Sequence, residues 1–554
     1  MSESFFRQSG HWPVLVIVFI CSFFINNEVI YTDIMECRNI ITAREMVYDG
    51  NWLLPTMNGD LRLEKPPFPT WVAALVEYAV PDSIVAQRAM AGVFAALLCC
   101  FFYLFAWRIA RNKTYALVST LVLCTSYNII LLGRTASWDI YCHAFMMGAI
   151  YFLFTALQQK ERYMRNFLAA GFCMGMSFLS KGPVSFYALL LPFIVSYGIV
   201  YRGGMKGKRG AFAWMLAVLL VLSSWWYAYT YISHPEMASY VFNKEASSWA
   251  NHNVRPWYYY WAFFLETGVW SVLTLTALAY PYWKRRVHHP KAYLLSFVWM
   301  LAILFFLSLI PEKKTRYLLP VLLPASLTIG HLFIYWMDAA AKNLLSRTDR
   351  LVYRTNAYAV TLVVGSIPVL AYLFVYRKGF MDAGMFVVIC ILVEAIAGWL
   401  FRSSLRVKPF AFLTGVVGLF LVAEVLMMPY VGTVVNNNES KSIRATYDNQ
   451  ELKPLPFYYD KDEILRVEIV YEARKKIRPL DLSDEKAVME ALPFVLVSQQ
   501  PAEEAFPPSL ADKLDMRWID TYDNNRRQKN TKRYSPVFIN NVTVITEKQR
   551  PDNP

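Results

Sequence analysis

Residues 84–106 read IVAQRAMAGVFAALLCCFFYLFA, an apolar run in which Arg88 carries the only charge. A helix of this length rises about 35 Å and so crosses the roughly 30 Å hydrocarbon core of a bilayer. Comparable runs recur from residue 11 to residue 430. The same rule predicts about thirteen membrane-spanning helices, at 12–30, 84–106, 115–133, 141–157, 166–180, 183–201, 211–230, 258–281, 293–310, 318–337, 356–376, 383–401 and 409–429.

The composition supports a mainly α-helical membrane protein. Of the 554 residues, 56% are hydrophobic and only 17% are charged, whereas soluble domains carry about 25% charged residues. This balance excludes a cytosolic enzyme, a disordered scaffold and a nucleic-acid-binding protein. The eight cysteines show no CxxC or Cys/His spacing, so no disulfide framework or structural zinc site is expected.

The distribution of basic residues predicts the orientation. The net charge of +14 is concentrated in short clusters at 108–113, 160–165, 202–209, 284–291, 347–354 and 402–408. Such clusters are typical of cytoplasmic loops. We therefore expect a cytoplasmic N-terminus, with the tail and the loops 31–83, 134–140, 231–257 and 311–317 on the outer side.

Two domains follow from this pattern. Residues 1–430 form the polytopic membrane domain, whose large external loops are 31–83 and 231–257, and residues 431–554 form a small α/β domain outside the membrane. The tail alternates strand-like runs, Phe494–Ser498 and Val542–Thr546, with the helix-like run Glu485–Ala491. It carries no catalytic motif, which favours a lid or docking module. We expect a monomer.

Charged residues beside membrane spans are costly and therefore mark candidate sites. If the first outward loop is helical, Asp33 and Glu36 share one face of that helix, and Arg38 is placed to pair with an anion. The alternative is a capped amphipathic helix with solvated charges.

Later outward segments carry further candidates. Asp139 lies at the mouth of a predicted span. The alternative to a functional role is a carboxylate that only stabilises the start of the helix. Lys181 stands alone between two apolar runs and needs an anionic ligand or a carboxylate partner. The stretch 251–260 contains His252 and Arg255, which are candidates for a binding site. The alternative interpretation is that this stretch forms an aromatic belt at the membrane interface.

A basic cluster at residues 313–317 lies in a loop predicted to face outward, whereas basic clusters are typical of cytoplasmic loops. It includes Arg316 and Tyr317, and binding of a phosphate explains it better than a solvated loop does. Several cations and carboxylates at one membrane interface suit the handling of an anionic lipid.

These residues resemble a known family. Glu36-Cys37-Arg38-Asn39, Gly50-Asn51-Trp52 and Glu64-Lys65-Pro66-Pro67, followed by Ser180-Lys181-Gly182, Pro256-Trp257-Tyr258-Tyr259 and Arg316-Tyr317-Leu318-Leu319-Pro320, are similar to signatures of the aminoarabinose transferase (ArnT) and protein-mannosyltransferase superfamily. The resemblance implies a GT-C fold with thirteen spans and the transfer of a sugar from a polyprenyl-phosphate carrier at the outer face of a bacterial inner membrane.

The resemblance also implies roles for matching residues. Lys65 and Lys181 match cations that approach the carrier phosphate, and Asp139 matches a second external carboxylate. Glu64 matches a ligand of a divalent metal, zinc or magnesium, and His252 is the nearest candidate for its histidine partner. The family's first loop reads Asp-Glu-x-Arg, but this chain has Met35 at the Asp position, so Asp33 or Glu36 is left to supply the acid.

Together these features predict a polyprenyl-phosphate-sugar glycosyltransferase. The donor phosphate is expected among Arg38, Lys65, Lys181, Arg255 and Arg316, with Tyr317 beside it. Asp33, Glu36 or Asp139 would orient or deprotonate the acceptor, which is a lipid A phosphate, a protein Ser/Thr or an envelope glycan, and the resemblance implies inversion at the anomeric carbon. The alternatives are a transporter or flippase of polyprenyl-linked lipids and a structural scaffold.

Overall fold

The structure is a computed structural model that describes residues 10–548. It forms two compact units. The first, the membrane unit, comprises residues 10–29, Leu63–Pro69 and Ser83–Tyr430. The second, the sheet unit, comprises Ile30–Arg62, Thr70–Asp82 and residues 431–548. The loop 31–83, which is predicted to face outward, is thus divided, and most of it belongs with the tail.

The membrane unit is almost entirely helical. Its α-helices, with the numbers used below, are α1 (Trp12–Phe23), α4 (Ile84–Ala110), α5 (Lys113–Cys124), α6 (Tyr127–Gly133), α7 (Trp138–Gln158), α8 (Tyr163–Lys181), α9 (Leu191–Tyr201), α10 (Arg209–Ser233), α11 (Pro235–Asn251), α12 (Ser271–Ala277), α13 (Tyr280–Trp283), α14 (Pro290–Leu309), α15 (Leu319–Ala341), α16 (Arg347–Ala371), α17 (Ala383–Leu405), α18 (Pro409–Val422) and α19 (Met428–Val435). Helices α2 (Ile34–Asp49) and α3 (Phe68–Ala79) come from the divided loop.

Short non-α turns extend or join several of these helices. Three π-helical turns, Phe186–Leu190, Tyr372–Tyr376 and Ala423–Met427, precede α9, follow α16 and link α18 to α19. Two 3₁₀ segments, Trp257–Trp270 and Thr315–Leu318, precede α12 and α15.

Eight helical segments among the described residues are long and apolar enough to cross a membrane: Ile84–Ala110, Trp138–Gln158, Arg209–Ser233, Pro290–Leu309, Thr315–Ala341, Arg347–Tyr376, Ala383–Leu405 and Pro409–Val435. The pair α5 and α6, which bend by 71° at their break, adds a ninth if the two helices together form one broken span. There the Thr125 and Ser126 hydroxyls donate to the Leu121 and Val122 carbonyls, and such bonds back to the helix often bend it. The count of thirteen stays a prediction.

One predicted span is wrong in detail. Residues 258–281 do not form a single regular helix, because the 3₁₀ segment Trp257–Trp270 is followed by the short α12. The break lies at Gly268, whose φ of 62° is accessible to glycine without strain. An apolar run gives no sign of such a kink.

The sheet unit confirms the α/β character of the tail. Its five strands, β3 (Phe457–Asp460), β4 (Ile477–Leu480), β5 (Phe494–Ser498), β6 (Leu514–Asp523) and β7 (Ile539–Glu547), lie in the order β4-β3-β5-β7-β6. The pairs β3–β4 and β3–β5 are parallel, and β5–β7 and β6–β7 are antiparallel. One short helix, α20 (Ala445–Asp448), precedes the strands, and four others connect them: α21 (Val467–Ala473), α22 (Glu485–Ala491), α23 (Ala502–Ala505) and α24 (Pro508–Ala511).

The divided loop is part of the core of this sheet unit. Ile41 of α2 is buried in the same apolar cluster as Phe457 and Val495 of the sheet. A two-strand hairpin, β1 (Thr56–Met57) and β2 (Asp60–Leu61), follows α2. In its turn, the Asn58 side chain exchanges hydrogen bonds of 2.6 and 2.7 Å with the backbone of Ile477. The unit is thus assembled from segments distant in sequence.

Candidate functional site

The centre of the candidate site is an ion pair inside the membrane unit. Asp139 opens α7 and Lys181 closes α8, and the two helices pack as an antiparallel hairpin. Lys181 Nζ donates to Asp139 Oδ1, and the two side chains are only 5% and 1% exposed. The structure therefore supplies the carboxylate partner that the isolated lysine required.

Further cations and aromatic rings surround the pair. Lys181 Nζ lies 5.5 Å from the centroid of the Tyr317 ring, and Arg316 is close enough to act electrostatically on both members of the pair. Asp139 Oδ2 and Arg316 Nε are buried and have no hydrogen-bond partner among the described residues. The site thus retains polar capacity for a ligand.

A cavity of about 950 Å³ lies against Lys181. Its walls come from residues 63–66, the end of α8 with the turn after it, and helices α10 and α11. Most of the lining side chains are apolar or aromatic, such as Phe178, Tyr227 and Trp249. Its charged lining residues among those described are Glu64, Lys65, Lys181 and Glu245. Such a lining suits an amphiphile with an anionic head.

Lys65 and Glu64 are held at the cavity by α11. Lys65 Nζ lies 2.9 Å from Glu245 Oε2, and Lys244 Nζ lies 3.4 Å from Glu64 Oε1. Both pairs are partly exposed, so they contribute little stability and can be rearranged by a ligand. The structure therefore brings together Glu64, Lys65 and Lys181 around one cavity.

The loops 249–260 and 311–317 are joined through their backbones. The Glu312 and Lys313 amides donate to the carbonyls of Trp249 and Asn253. The Lys313 ammonium donates to the Ser308 and Ile310 carbonyls, and burial lowers the pKa of this lysine. Lys313 is thus turned inward, which leaves Arg316 as the better placed cation of the cluster.

Two predicted residues of these loops lie elsewhere. Arg255 is exposed, and its amide donates to the Pro311 carbonyl over 3.2 Å. His252 Nδ1 lies 3.3 Å from Glu312 Oε1. Neither is among the residues that line the 950 Å³ cavity.

The metal prediction depends on Glu64 and His252, and each has a different partner, Lys244 and Glu312. Among residues 10–548, no three His, Cys, Asp or Glu side chains come close enough to hold a metal ion. The described side chains therefore do not fit a metal held by protein ligands alone, and no chemical step is assigned to one.

The first-loop acids belong to the sheet unit. Asp33 caps α2 by accepting the Met35 and Glu36 amides at 2.7 and 2.8 Å, and Glu36 accepts the Asp33 amide at 3.0 Å. This is the capped helix considered as the alternative, except that Glu36 is buried rather than solvated. Arg38 lies on the next turn, and its Nε has no hydrogen-bond partner among the described residues.

Sequence reasoning missed His143, which is buried one turn after Asp139 on α7. It lines a second, smaller cavity of about 40 Å³ together with Glu312 and Tyr317. Its Nδ1 has no hydrogen-bond partner among residues 10–548. The spacing of four residues from Asp139 was the only available signal, because such residues share a helix face.

Comparison with known proteins supports the predicted resemblance. Residues 64–227, which include Lys65, Asp139 and Lys181, match the dolichyl-phosphate-mannose-protein mannosyltransferase family model. The undecaprenyl phosphate-alpha-4-amino-4-deoxy-L-arabinose arabinosyl transferase 1 of Pseudomonas fluorescens Pf0-1 is 25% identical over 67% of this chain and 64% of its own length. The corresponding transferase of Aeromonas hydrophila is 29% identical over 58% of each chain. The matches thus span less than two thirds of these relatives.

Similarity of fold extends over more of the chain than similarity of sequence does. The crystal structure of ArnT from Cupriavidus metallidurans bound to undecaprenyl phosphate superposes with a TM-score of 0.67 at 17% identity, covering 97% of this chain and 98% of that one. Its apo form gives 0.66 at 18% identity, covering 98% of each chain. The predicted resemblance is confirmed: residues 64–227 match the mannosyltransferase family model, and the chain shares the GT-C fold of the ArnT structures.

Proposed function

We propose that the protein is a membrane glycosyltransferase that moves a sugar from a polyprenyl-phosphate carrier to an acceptor of the bacterial envelope, in the inner membrane. The observation that carries this proposal is the buried Lys181–Asp139 pair beside the 950 Å³ cavity, within the family-matched segment. The names of its relatives specify an undecaprenyl phosphate donor. The transporter alternative has no support among these relatives.

The cavity suits such a donor because its two chemical parts find matching surroundings. Apolar and aromatic walls suit a polyprenyl chain, and cations suit the phosphate. An ammonium has three N–H donors, and Lys181 directs one toward Asp139, so the others are available to phosphate oxygens. Lys65 and Arg316 are the other cations proposed to bind the phosphate.

Transfer breaks the bond between the anomeric carbon and a phosphate oxygen, and an acceptor oxygen forms the new bond. The phosphate leaves with the bonding electrons, and cations fixed beside it stabilise the charge that develops. Lys181 and Arg316 would do this, with Asp139 holding Lys181 in place. A hydroxyl acceptor would pass its proton to a carboxylate, for which Asp33, Glu36 and Asp139 remain the candidates, whereas an ionised phosphate acceptor has no proton to lose. Attack opposite the leaving group inverts the anomeric carbon.

The acceptor is proposed to be a phosphate-bearing lipid of the lipid A type. The Pseudomonas and Aeromonas relatives are named for transfer of an aminoarabinose, whereas the matched family model is named for protein mannosylation. A protein Ser/Thr and an envelope glycan are therefore the acceptors to compare. A parallel comparison of donors that carry a pentose or a hexose decides which sugar is transferred.

The test measures sugar transfer by the purified full chain in lipid nanodiscs. Lys65→Ala removes a partly exposed cation, and we expect transfer to fall roughly tenfold to a hundredfold, the value of a charge-assisted phosphate contact. Lys181→Ala alone would leave Asp139 buried without its partner, which costs about 3–5 kcal/mol of stability. The informative variant is therefore Lys181→Met with Asp139→Asn, which removes both charges.

The matched control is Lys486→Ala, because Lys486 is exposed on the sheet unit. Thermal unfolding of every variant separates loss of fold from loss of transfer. If the folded double variant and Lys65→Ala both transferred the sugar at the wild-type rate, the proposed phosphate site would be wrong.

A further inference from the structure

A strongly basic loop connects the last two strands of the sheet unit. Residues 526–533 read RRQKNTKR, which gives five cations and no acid in eight positions. Three of them, Lys529, Lys532 and Arg533, are exposed. Neither Lys532 nor Arg533 forms an ion pair with another described residue, and Lys529 has only a distant partner, Glu439, at 3.6 Å. This concentration of charge, which we call the basic loop, plays no part in the proposed reaction.

Hydrogen bonds fix the shape of the loop. Asn525 donates to the Ser535 carbonyl over 3.0 Å and accepts the Ser535 amide at 2.9 Å, so its side chain closes the base of the loop. The Tyr534 hydroxyl donates to Asp523 over 2.7 Å. These hydrogen bonds therefore hold the cations on a loop of defined conformation.

The base of the loop is bonded to the stretch of chain that directly follows a candidate span. The Asn437 amide donates to the Arg526 carbonyl over 3.0 Å, and its side chain donates to the Asn525 carbonyl over 2.9 Å. Asn437 follows the candidate span Pro409–Val435 by two residues, which extend at most about 7 Å.

A second connection to an apolar segment supports this position. The guanidinium groups of Arg526 and Arg527 lie 5.9 and 5.1 Å from the centroid of the Tyr31 ring. Tyr31 follows the apolar helix α1 by eight residues, and its amide donates to Asn436 over 3.4 Å. Tyr31, like Asn437, therefore joins the loop to chain that follows an apolar helix, and tyrosine is enriched at membrane interfaces.

We infer that the basic loop binds the phosphate groups of anionic lipids at the membrane surface on the side of the tail. Clusters of four to eight cations next to a membrane span bind anionic lipid on the cytoplasmic side, and the same attraction between cations and lipid phosphates acts at either surface that carries anionic lipid. The ammonium groups of Lys529 and Lys532 and the guanidinium of Arg533 provide the contacts, while Arg526 and Arg527 hold the base of the loop against Tyr31. None of the loop residues lines the 950 Å³ cavity. The inference therefore does not depend on the proposed sugar transfer.

The experiment compares lipid binding by full-length variants in detergent. The probe is phosphatidic acid, whose phosphate is exposed, with zwitterionic phosphatidylcholine as the reference lipid. We expect the combined variant Lys529→Gln, Lys532→Gln and Arg533→Gln to bind phosphatidic acid on the order of 100-fold more weakly than wild type at low salt, with phosphatidylcholine binding unchanged. Since the contacts are exposed, the difference should shrink as salt rises.

A matched variant controls for lipids that coat the apolar helices. Lys461→Gln, Lys486→Gln and Lys513→Gln remove the same charge from exposed positions elsewhere on the sheet unit, and phosphatidic acid binding should persist. Circular dichroism checks that both variants fold. Wild-type binding by the loop variant, or equal loss in the control, would overturn the inference.

Sugar transfer measured on the same samples keeps this inference separate from the proposed function. Absence of transfer in wild type, with loop-dependent lipid binding intact, would refute only the proposed function. Transfer by wild type with no effect of the loop variant on lipid binding would refute only the role of the loop.

Discussion

Asp139 and Lys181 show how a pairing arises from sequence spacing. The two residues are equidistant from residue 160, which lies in the short connection between α7 and α8. In an antiparallel helical hairpin, positions equally far from the turn lie at the same level, so an acid and a base placed this way meet. The sequence contained this information, but it becomes usable only once the hairpin is recognised.

Other residue roles could not be derived in advance. Glu312 approaches His252 and pairs with Lys314, although it looks like an ordinary loop acid in the sequence. Lys313 and Arg316 look equivalent in the basic cluster, yet Lys313 turns toward backbone carbonyls. Such differences depend on side-chain direction in irregular loops, where no period constrains it.

The first prediction concerns the two acids of the first loop, Asp33 and Glu36. Asp33→Asn and Glu36→Gln remove one negative charge each while keeping the size of the side chain, and asparagine remains a good helix cap. We expect at least one of them to lose most of its transfer activity, with Glu36 the first candidate because it lies beside the Arg38 position of the motif. The measurement is the single-turnover transfer rate in nanodiscs. Full activity in these two variants and in Asp139→Asn would contradict acid–base catalysis by these carboxylates.

The divalent metal remains a prediction that chelation can test. If Glu64 helps to hold zinc or magnesium, a chelator and Glu64→Gln should lower transfer to the same extent, and the chelator should have no further effect on the variant. His252→Ala should behave like Glu64→Gln. A wild-type rate unchanged by exhaustive chelation, with metal content measured by elemental analysis, would show that transfer needs no metal.

At the level of elements, two glycines allow α8 to approach α10 closely. A Cβ built on Gly171 would lie 2.4 Å from the Met215 carbonyl oxygen, and one on Gly175 would lie 2.5 Å from Leu222 Cβ. A backbone oxygen cannot move aside as a flexible side chain can. The close packing of these helices sets the cavity wall between Phe178 and Tyr227.

Gly171→Ala should therefore separate the two helices. We expect a loss of about 1–3 kcal/mol of stability, the usual cost of overpacking, together with weaker donor binding. Gly198→Ala in α9 is the matched control, since a Cβ there meets nothing within 4 Å. Thermal unfolding and donor affinity are the measurements. Equal stability of the two variants would mean that the contact is not as close as described.

Regular elements with a clear period were predictable, and irregular ones were not. The strand Phe494–Ser498 and the helix Glu485–Ala491 were predicted with the bounds that the structure has, because β-branched residues and a capping Asp484 mark them. The kink at Gly268 was missed, since a hydropathy pattern reports how apolar a segment is and carries no information on its backbone angles.

At the scale of the whole molecule, the orientation in the membrane remains a prediction. A phosphatase reporter, which is active only outside the cytoplasm, should be active when fused after Val435 and silent when fused after Lys206. The positive-inside distribution of lysine and arginine is the physical reason. A fluorescent protein that folds only in the cytoplasm serves as the reciprocal reporter. Activity after Lys206 and silence after Val435 would reverse the arrangement.

The composite make-up of the sheet unit has a consequence for biosynthesis. Its first segments end at Asp82 and its last begins at residue 431, so about 350 residues are translated in between. At about 5–20 residues per second, the roughly 410 residues between the end of helix α2 and the first strand that covers Ile41 take about 20–80 s to synthesise. During this interval the apolar face of α2 is open to aggregation, proteolysis or capture by a chaperone. A ribosome that stops before the tail would leave a nascent chain in which residues 30–62 never acquire their core.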